Sequence, residues 1–314
     1  MVRSIHIDAI SGILIIYMVI GHIFQWSGLS DNIIYKYSSI VLYFFMPWFF
    51  YKSGMYHNQE RPIKTIIHNC INKLLKPTIL GFIIGIVLYW LNLLLNKDYN
   101  IIHYILSPIK SFMFGDITGN TPLWFIISLI IIKPIFHLFL KCDKRIKYVI
   151  VLLIIVLFRF NIRYLFLNNI FLGFLFYLIG YYIEHFFEKQ LLIPISILVY
   201  FYSCLYENQI VDFHTQNIIT GSYIAWFLAS IAGIITINYL FSYFENRKFI
   251  KPISLIGKQS LKILIYHWPI LYLINLVIHC TNVEVSRWSM FFIYLIISTT
   301  ILSILCFINM KKNE

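Results

Sequence analysis

Ten apolar stretches, most of them long enough to cross about 30 Å of hydrocarbon, constrain this chain more than any other feature. They lie near residues 5–26, 33–50, 77–95, 122–140, 147–159, 168–187, 191–206, 218–243, 260–279 and 288–309. Lipid offers no water to satisfy peptide groups, so runs of this kind fold as helices. Composition agrees, with 60% hydrophobic and 12% charged residues against about 45–50% and about 25% in soluble domains. The expected class is an all-α polytopic integral membrane protein of about ten transmembrane helices. It forms one domain over residues 1–314, without a repeat, a long linker or a soluble module; the longest loops are 51–76 and 96–121.

Charge placement orients the helices. With ten spans, 18 of the 25 Lys and Arg residues fall on the side of the N-terminus, six on the opposite side, and Lys133 within a helix. Basic residues concentrate on cytoplasmic loops, so both termini are expected in the cytoplasm. The net charge of +12 then reflects loops facing anionic headgroups, and no nucleic-acid partner is expected. The five cysteines show no paired spacing and read as free thiols. The first apolar run lies behind Arg3 like a signal peptide, but no small-residue cleavage site follows it, so it reads as a retained helix.

Ionisable groups inside a bilayer are expensive and usually functional, and the first helix carries two, Asp8 and His22. At 100° per residue Asp8, Ser11, Ile15, Met18 and His22 fall on one stripe roughly 80° wide, suited to lining a polar path. A neutral imidazole there can serve as general base toward a hydroxyl; the alternative is an interfacial ring beside Trp26. Asp8 lies roughly 21 Å below His22 along the helix, too far for direct contact. It is expected at the cytoplasmic end, paired with Lys73 or Lys76 or simply solvated.

In Cys70-Ile-Asn-Lys73-Leu-Leu-Lys76-Pro77 the two lysines are helix-surface neighbours, and Pro77 fits a helix start or a kink. They read either as ordinary inner-side charge or as a clamp for a polyanion such as the phosphates of coenzyme A. Further on, Ser260 and His267 lie two turns apart on one face, with Pro269 positioned to free a backbone carbonyl beside the imidazole. The alternative for His267 is a packing histidine bonded to a neighbouring helix. Trp124 is expected in the outer aromatic belt, while Gly173 and Gly180 read as a packing face. The remaining histidines form no metal-ligand pattern, and no Walker or dinucleotide motif occurs.

Together these residues resemble the acyltransferase 3 family of membrane acyltransferases. The matching features are Asp8 through Gly21-His22, Phe44 to Phe50 with Ser53-Gly54, Lys73-x-x-Lys76-Pro77, Leu123-Trp124-Phe125, Gly180, and Ile256-Gly257-x-x-Ser260-Leu261 followed by His267. They occur in family order across nearly the whole chain. The resemblance implies acyl transfer, usually of acetyl from cytoplasmic acetyl-CoA, to a sugar hydroxyl on an exported or cell-surface carbohydrate, at the inner membrane of a bacterial cell. His22 would deprotonate the acceptor or carry the acyl group. His267 and Asp8 complete the implied catalytic set, and Lys73 and Lys76 would hold donor phosphates.

Two departures from the family pattern stand out. Ser11 occupies the position, three residues after the acid, where the family often has a donor-binding Arg or Lys. Lysines also replace its cytoplasmic Arg-x-x-Arg, keeping charge but losing the bidentate fork. Outer-loop Tyr99, Tyr104, Tyr164, Tyr206 and Trp288 suit sugar stacking. Membrane lipids are the expected surroundings, no metal is implied, and a homo-oligomer is left open. The rival reading is a proton-coupled transporter or flippase for a glycan or glycolipid, which intramembrane His and Asp would also suit.

Overall fold

The computed structural model of the chain describes residues 4–160, 162, 164–186, 189–205, 211–215, 217–218, 222–281 and 284–310. Arg3, Arg163, Tyr206, Lys311 and Lys312 from the charge and loop readings lie outside the described residues. In chain order the helices are α1 (Ile5–Trp26), α2 (Ile33–Val41), α3 (Phe45–Met55), α4 (Ile63–Cys70), α5 (Lys76–Leu95), α6 (Ile101–Met113) and α7 (Trp124–Lys141). They continue as α8 (Lys144–Arg159), α9 (Leu167–Phe186), α10 (Lys189–Leu205), α11 (Tyr223–Tyr243), α12 (Ile250–Lys258), α13 (Ser260–Thr281) and α14 (Arg287–Met310). Between α10 and α11 a two-residue antiparallel ladder pairs β1 (Val211–Asp212) with β2 (Asn217–Ile218).

Among the described residues, eight helical stretches have the length and apolarity to cross a membrane: α1, α2–α3, α4–α5, α7, α9, α11, α13 and α14. The candidates at 147–159 and 191–206 form shorter helices, α8 with 16 residues and α10 with 17. The second candidate runs on to Met55 and breaks at Leu42–Phe44, because Pro47 brings no N–H to the first turn of α3. The loop expected at 96–121 contains α6, whose N-cap Asn100 accepts the Ile102 N–H at 3.0 Å. Its Ile101, Ile102, Ile105 and Ile109 are exposed, as for a helix lying along lipid. Pro77 lies in the first turn of α5, the helix-start position read from the sequence, without breaking the chain's helical run. A π-helical turn at Ile71–Leu75, closed by the Lys76 N–H on the Ile71 carbonyl, carries the helix past it from α4 into α5.

Glycines set the tightest contacts. A Cβ on Gly54 would overlap the Tyr177 carbonyl and one on Gly180 the Tyr51 carbonyl, so α3 and α9 meet backbone to backbone at both points. Gly173 seats the Phe50 ring, which bears out the packing face read from the sequence. The same device joins α1 to α12, where Gly12 abuts the Ile253 carbonyl and Gly257 the Asp8 carbonyl. A cap holds α1 at its start, with the Ser4 hydroxyl donating to Glu245 at 2.8 Å and His6 Nδ1 lying 3.2 Å from that carboxyl.

Gly257→Ala is expected to destabilise the protein by about 1–3 kcal/mol despite alanine's better helix propensity, because the added methyl meets backbone that cannot rotate away. Gly21→Ala serves as the control: its Cβ would meet nothing nearer than the Tyr35 ring at 3.5 Å. Thermal unfolding of the detergent-solubilised variants checks the pair, and equal melting temperatures would refute the close-contact account.

Candidate active site

Two histidines come together from opposite ends of the sequence. His22, four residues before the end of α1, stacks on His267 of α13 with ring centroids 5.3 Å apart and planes 23° apart. The edge of Trp268 packs against His22 at 4.9 Å. His267 is fully buried, and its Nδ1 lies 2.9 Å from both the Ile263 and Leu264 carbonyls. Carbonyls only accept, so Nδ1 carries the proton and the neutral ring keeps its lone pair on Nε2. That Nε2 is buried with no hydrogen-bond partner among the described residues.

His22 is fixed in the same tautomer. The amide of Gln25 donates through Nε2 to the Tyr35 hydroxyl at 3.1 Å, which turns its carbonyl toward His22 Nδ1 at 2.9 Å. A carbonyl there requires Nδ1–H, leaving Nε2 as the basic nitrogen. Asp212, the last residue of β1, and His214, in the turn that follows it, are near enough to act electrostatically on His22. This turn is anchored to the bundle: Asn169 donates to the Phe213 and His214 carbonyls at 3.0 and 3.1 Å. Trp124 lies beneath it, stacked on Phe213 and His214 and only 5% exposed. The tryptophan expected in the aromatic belt is therefore the buried floor of the β-turn.

Pro269 frees the Ile265 carbonyl, which would otherwise bond to the N–H four residues on. Asn120, buried just before α7, supplies the missing donor through Nδ2 at 3.0 Å and reaches the Gly81 carbonyl of α5 at 3.2 Å. Asn120 thus ties α13 to α5 one turn from His267. Sequence reading anticipated the freed carbonyl but not its partner.

At the other end of α1 the structure corrects the expected pairing of Asp8. The ammonium of Lys52, on α3, lies 3.6 Å from the Asp8 carboxylate and donates to Ser11 Oγ at 2.5 Å. Asp8 is 1% exposed rather than solvated. Ser11, where the family often carries its own cation, receives one from a different helix.

Lys52 also lines two adjoining cavities of about 340 and 470 Å³. Both share Lys52, Ser53, Tyr56, Leu74, Lys133 and Leu261. The first adds Arg61, Lys73 and His57; the second adds Lys258, Ser260 and an apolar wall of Ile15, Phe49, Phe125, Leu129 and Leu264. Lys76, exposed on the same continuous helix, is not among the residues lining either cavity. Beside the first, His57 Nδ1 bonds the Tyr177 hydroxyl at 2.8 Å and its Nε2 lies 3.4 Å from His137 Nδ1. No cluster of His, Cys, Asp and Glu able to hold a metal ion occurs among the described residues.

From Ile15 to His22, and from Ser260 to His267, is seven residues, about 10 Å of helix in each case. Leu264 of the same wall is only three residues, about one turn, from His267, so the histidine pair sits just beyond the apolar end of the second cavity. An extended, flexible molecule anchored among the cations could reach it with an uncharged arm.

Lys52→Met would strand a buried carboxylate, and breaking such a pair costs about 3 kcal/mol or more. The double variant Asp8→Asn with Lys52→Met is expected to recover most of that loss. Melting temperatures of the three proteins check it; a double variant no more stable than the single would refute the pairing. Asn120→Ala leaves two buried carbonyls without their donor and is expected to cost about 1–3 kcal/mol, read the same way.

No curated protein and no solved structure matches this chain. A family model described as an acyltransferase domain matches residues 5–307, nearly the whole sequence. With its stacked histidine pair, basic cavities and eight apolar spans among the described residues, the chain belongs to that acyltransferase family as a multi-pass membrane protein.

Proposed function

We propose that this acyltransferase moves an acetyl group from acetyl-CoA to a hydroxyl of an exported or cell-surface carbohydrate, across a bacterial cell membrane with both termini in the cytoplasm. The observation that carries this reading is the fixed tautomer of the stacked pair: both imidazoles are held through Nδ1, which leaves Nε2 of each for chemistry.

His22 is the reacting base, because it is only partly buried while His267 is closed off. Its Nε2 takes the proton of the acceptor hydroxyl as the oxygen attacks the thioester carbonyl. The tetrahedral intermediate collapses, the C–S bond breaks, and the departing thiolate recovers the proton from the imidazolium as coenzyme A. Gln25 holds the His22 ring, and His267 packs against its face. Lys52, ordered by Asp8 and Ser11, and Lys73 lie on the cavity side that receives the charged end of the donor, with Lys76 adding to the field at its mouth.

Charge placement favours the cytoplasm for the basic end. The acceptor then approaches from the side of Gln25 and Tyr35, the side to which charge placement also assigns the exposed Trp288, Tyr99 and Tyr164. A sugar suits this end, where hydroxyl and aromatic side chains mix.

Membranes carrying the native chain, supplied with acetyl-labelled acetyl-CoA, are expected to transfer label into surface glycan. His22→Ala at matched expression should lower that transfer by about 10²-fold or more, the scale of a lost general base. Equal labelling by the two proteins would remove His22 from the chemistry, and label appearing in lipid or protein instead would reassign the acceptor.

A further inference from the structure

Five cations line the two cavities, Lys52, Arg61, Lys73, Lys133 and Lys258, and among the described residues no carboxylate lines either one. Lys52 has Asp8 behind it. Lys133 differs: it projects from the middle of the apolar helix α7, forms no ion pair among the described residues, and feels the repulsion of Arg61 and Lys73. Like charges gathered at the edge of a low-dielectric interior raise the energy of the empty site and are relieved by an anion.

The cations are also divided. Lys133 and Lys52 stand where the cavities join, and Lys258 lies on the side leading to the histidines. Arg61 and Lys73 lie in the other cavity, with Asn58 and Asn69 beside them. A ligand that fits has two separate anionic groups, one at the junction and one in the Arg61–Lys73 cavity, and an uncharged arm toward His22. Coenzyme A has this order: thioester arm, diphosphate, then a 3′-phosphomonoester on the ribose.

Resting on the acetyl-CoA reading above, we infer that Lys133 and Lys52 seat the donor's diphosphate while Arg61 and Lys73 read its 3′-phosphate, so the site discriminates coenzyme A from dephospho-coenzyme A. A guanidinium forks onto two phosphate oxygens and a lysine adds a point charge, which makes this pair suited to a terminal dianion.

The test is competition by coenzyme A and by dephospho-coenzyme A against labelled acetyl-CoA bound to the purified protein in lipid nanodiscs at fixed low salt. The native protein is expected to prefer coenzyme A by about tenfold or more. In Arg61→Gln with Lys73→Gln, both exposed positions, that preference should vanish while dephospho-coenzyme A competes as before. Lys133→Met should weaken both ligands by similar factors. Equal competition by the two ligands on the native protein, or equal losses for both in the Arg61–Lys73 variant, would overturn the inference and leave the acetyl-CoA reading standing. Absence of any acetyl-CoA binding by the native protein would overturn that reading and the inference together. His22→Ala, expected to bind like the native chain while failing to transfer, separates binding from chemistry.

Discussion

A peptide group in hydrocarbon must find its hydrogen-bond partner within the protein, and this constraint decides where the chain can depart from straight helix. Three of the departures lie at the site. The π-helical turn at Ile71–Leu75 keeps its ladder closed and carries Lys73 and Leu74 into the cavity wall. Pro269 breaks the α13 ladder, and Asn120 repairs it from outside the helix beside His267. The break before α3 precedes Phe49, Lys52 and Ser53, all of which line a cavity. Irregular backbone is tolerated here because protein surrounds it, and each irregularity places a side chain that a straight helix would aim elsewhere.

Charge follows a similar logic with a different outcome. Asp8 and Lys52 offset one another and are reinforced by Ser11, which makes a buried pair tolerable without making it strongly stabilising. Lys133, Arg61 and Lys73 have no such compensation along the cavity wall. The site therefore combines a balanced pair that fixes α1 to α3 with an unbalanced cluster whose field is directed at a ligand. Lys52 belongs to both, since its ammonium pairs with Asp8 and also lines the cavities it shares with Lys133.

Much of this could be read from the sequence, for definite reasons. Apolar run length is a one-dimensional property, so the all-α membrane class and most spans were visible. His22 and His267 stood out because imidazoles are rare among apolar neighbours, and Pro269 announced a free carbonyl by its chemistry alone. Pairings between helices were not legible. Asp8 could be matched with Lys73 or Lys76 by side of the membrane, but only packing brings Lys52, 44 positions away, to its carboxylate. Lys133 was recognisable as a lysine inside a helix, yet its orientation toward a cavity depends on neighbours that a periodicity argument does not contain. His57, His137 and Asn120 carried no local signal, since each matters through a partner on another element.

The register of the two histidines does have a trace in the sequence once the contact that sets it is known. Gly12 packs against the backbone at Gly257, and ten positions separate Gly12 from His22, as ten separate Gly257 from His267. A turn at Gln259 separates Gly257, on α12, from His267, on α13, so the glycine contact fixes where α1 meets the corner from which α13 sets out, and the stacking of the two imidazoles depends on that corner as well as on the spacing. Neither glycine touches the histidines. Their missing side chains allow the close approach of α1 and α12, and a larger residue at either position would push the two helices apart and shift α1, which carries His22, relative to α13. Gly12 and His22 share one helix, α1, so the contact that seats α1 against α12 also positions the imidazole at its far end, and the site's geometry depends on side-chain atoms that are absent well away from it.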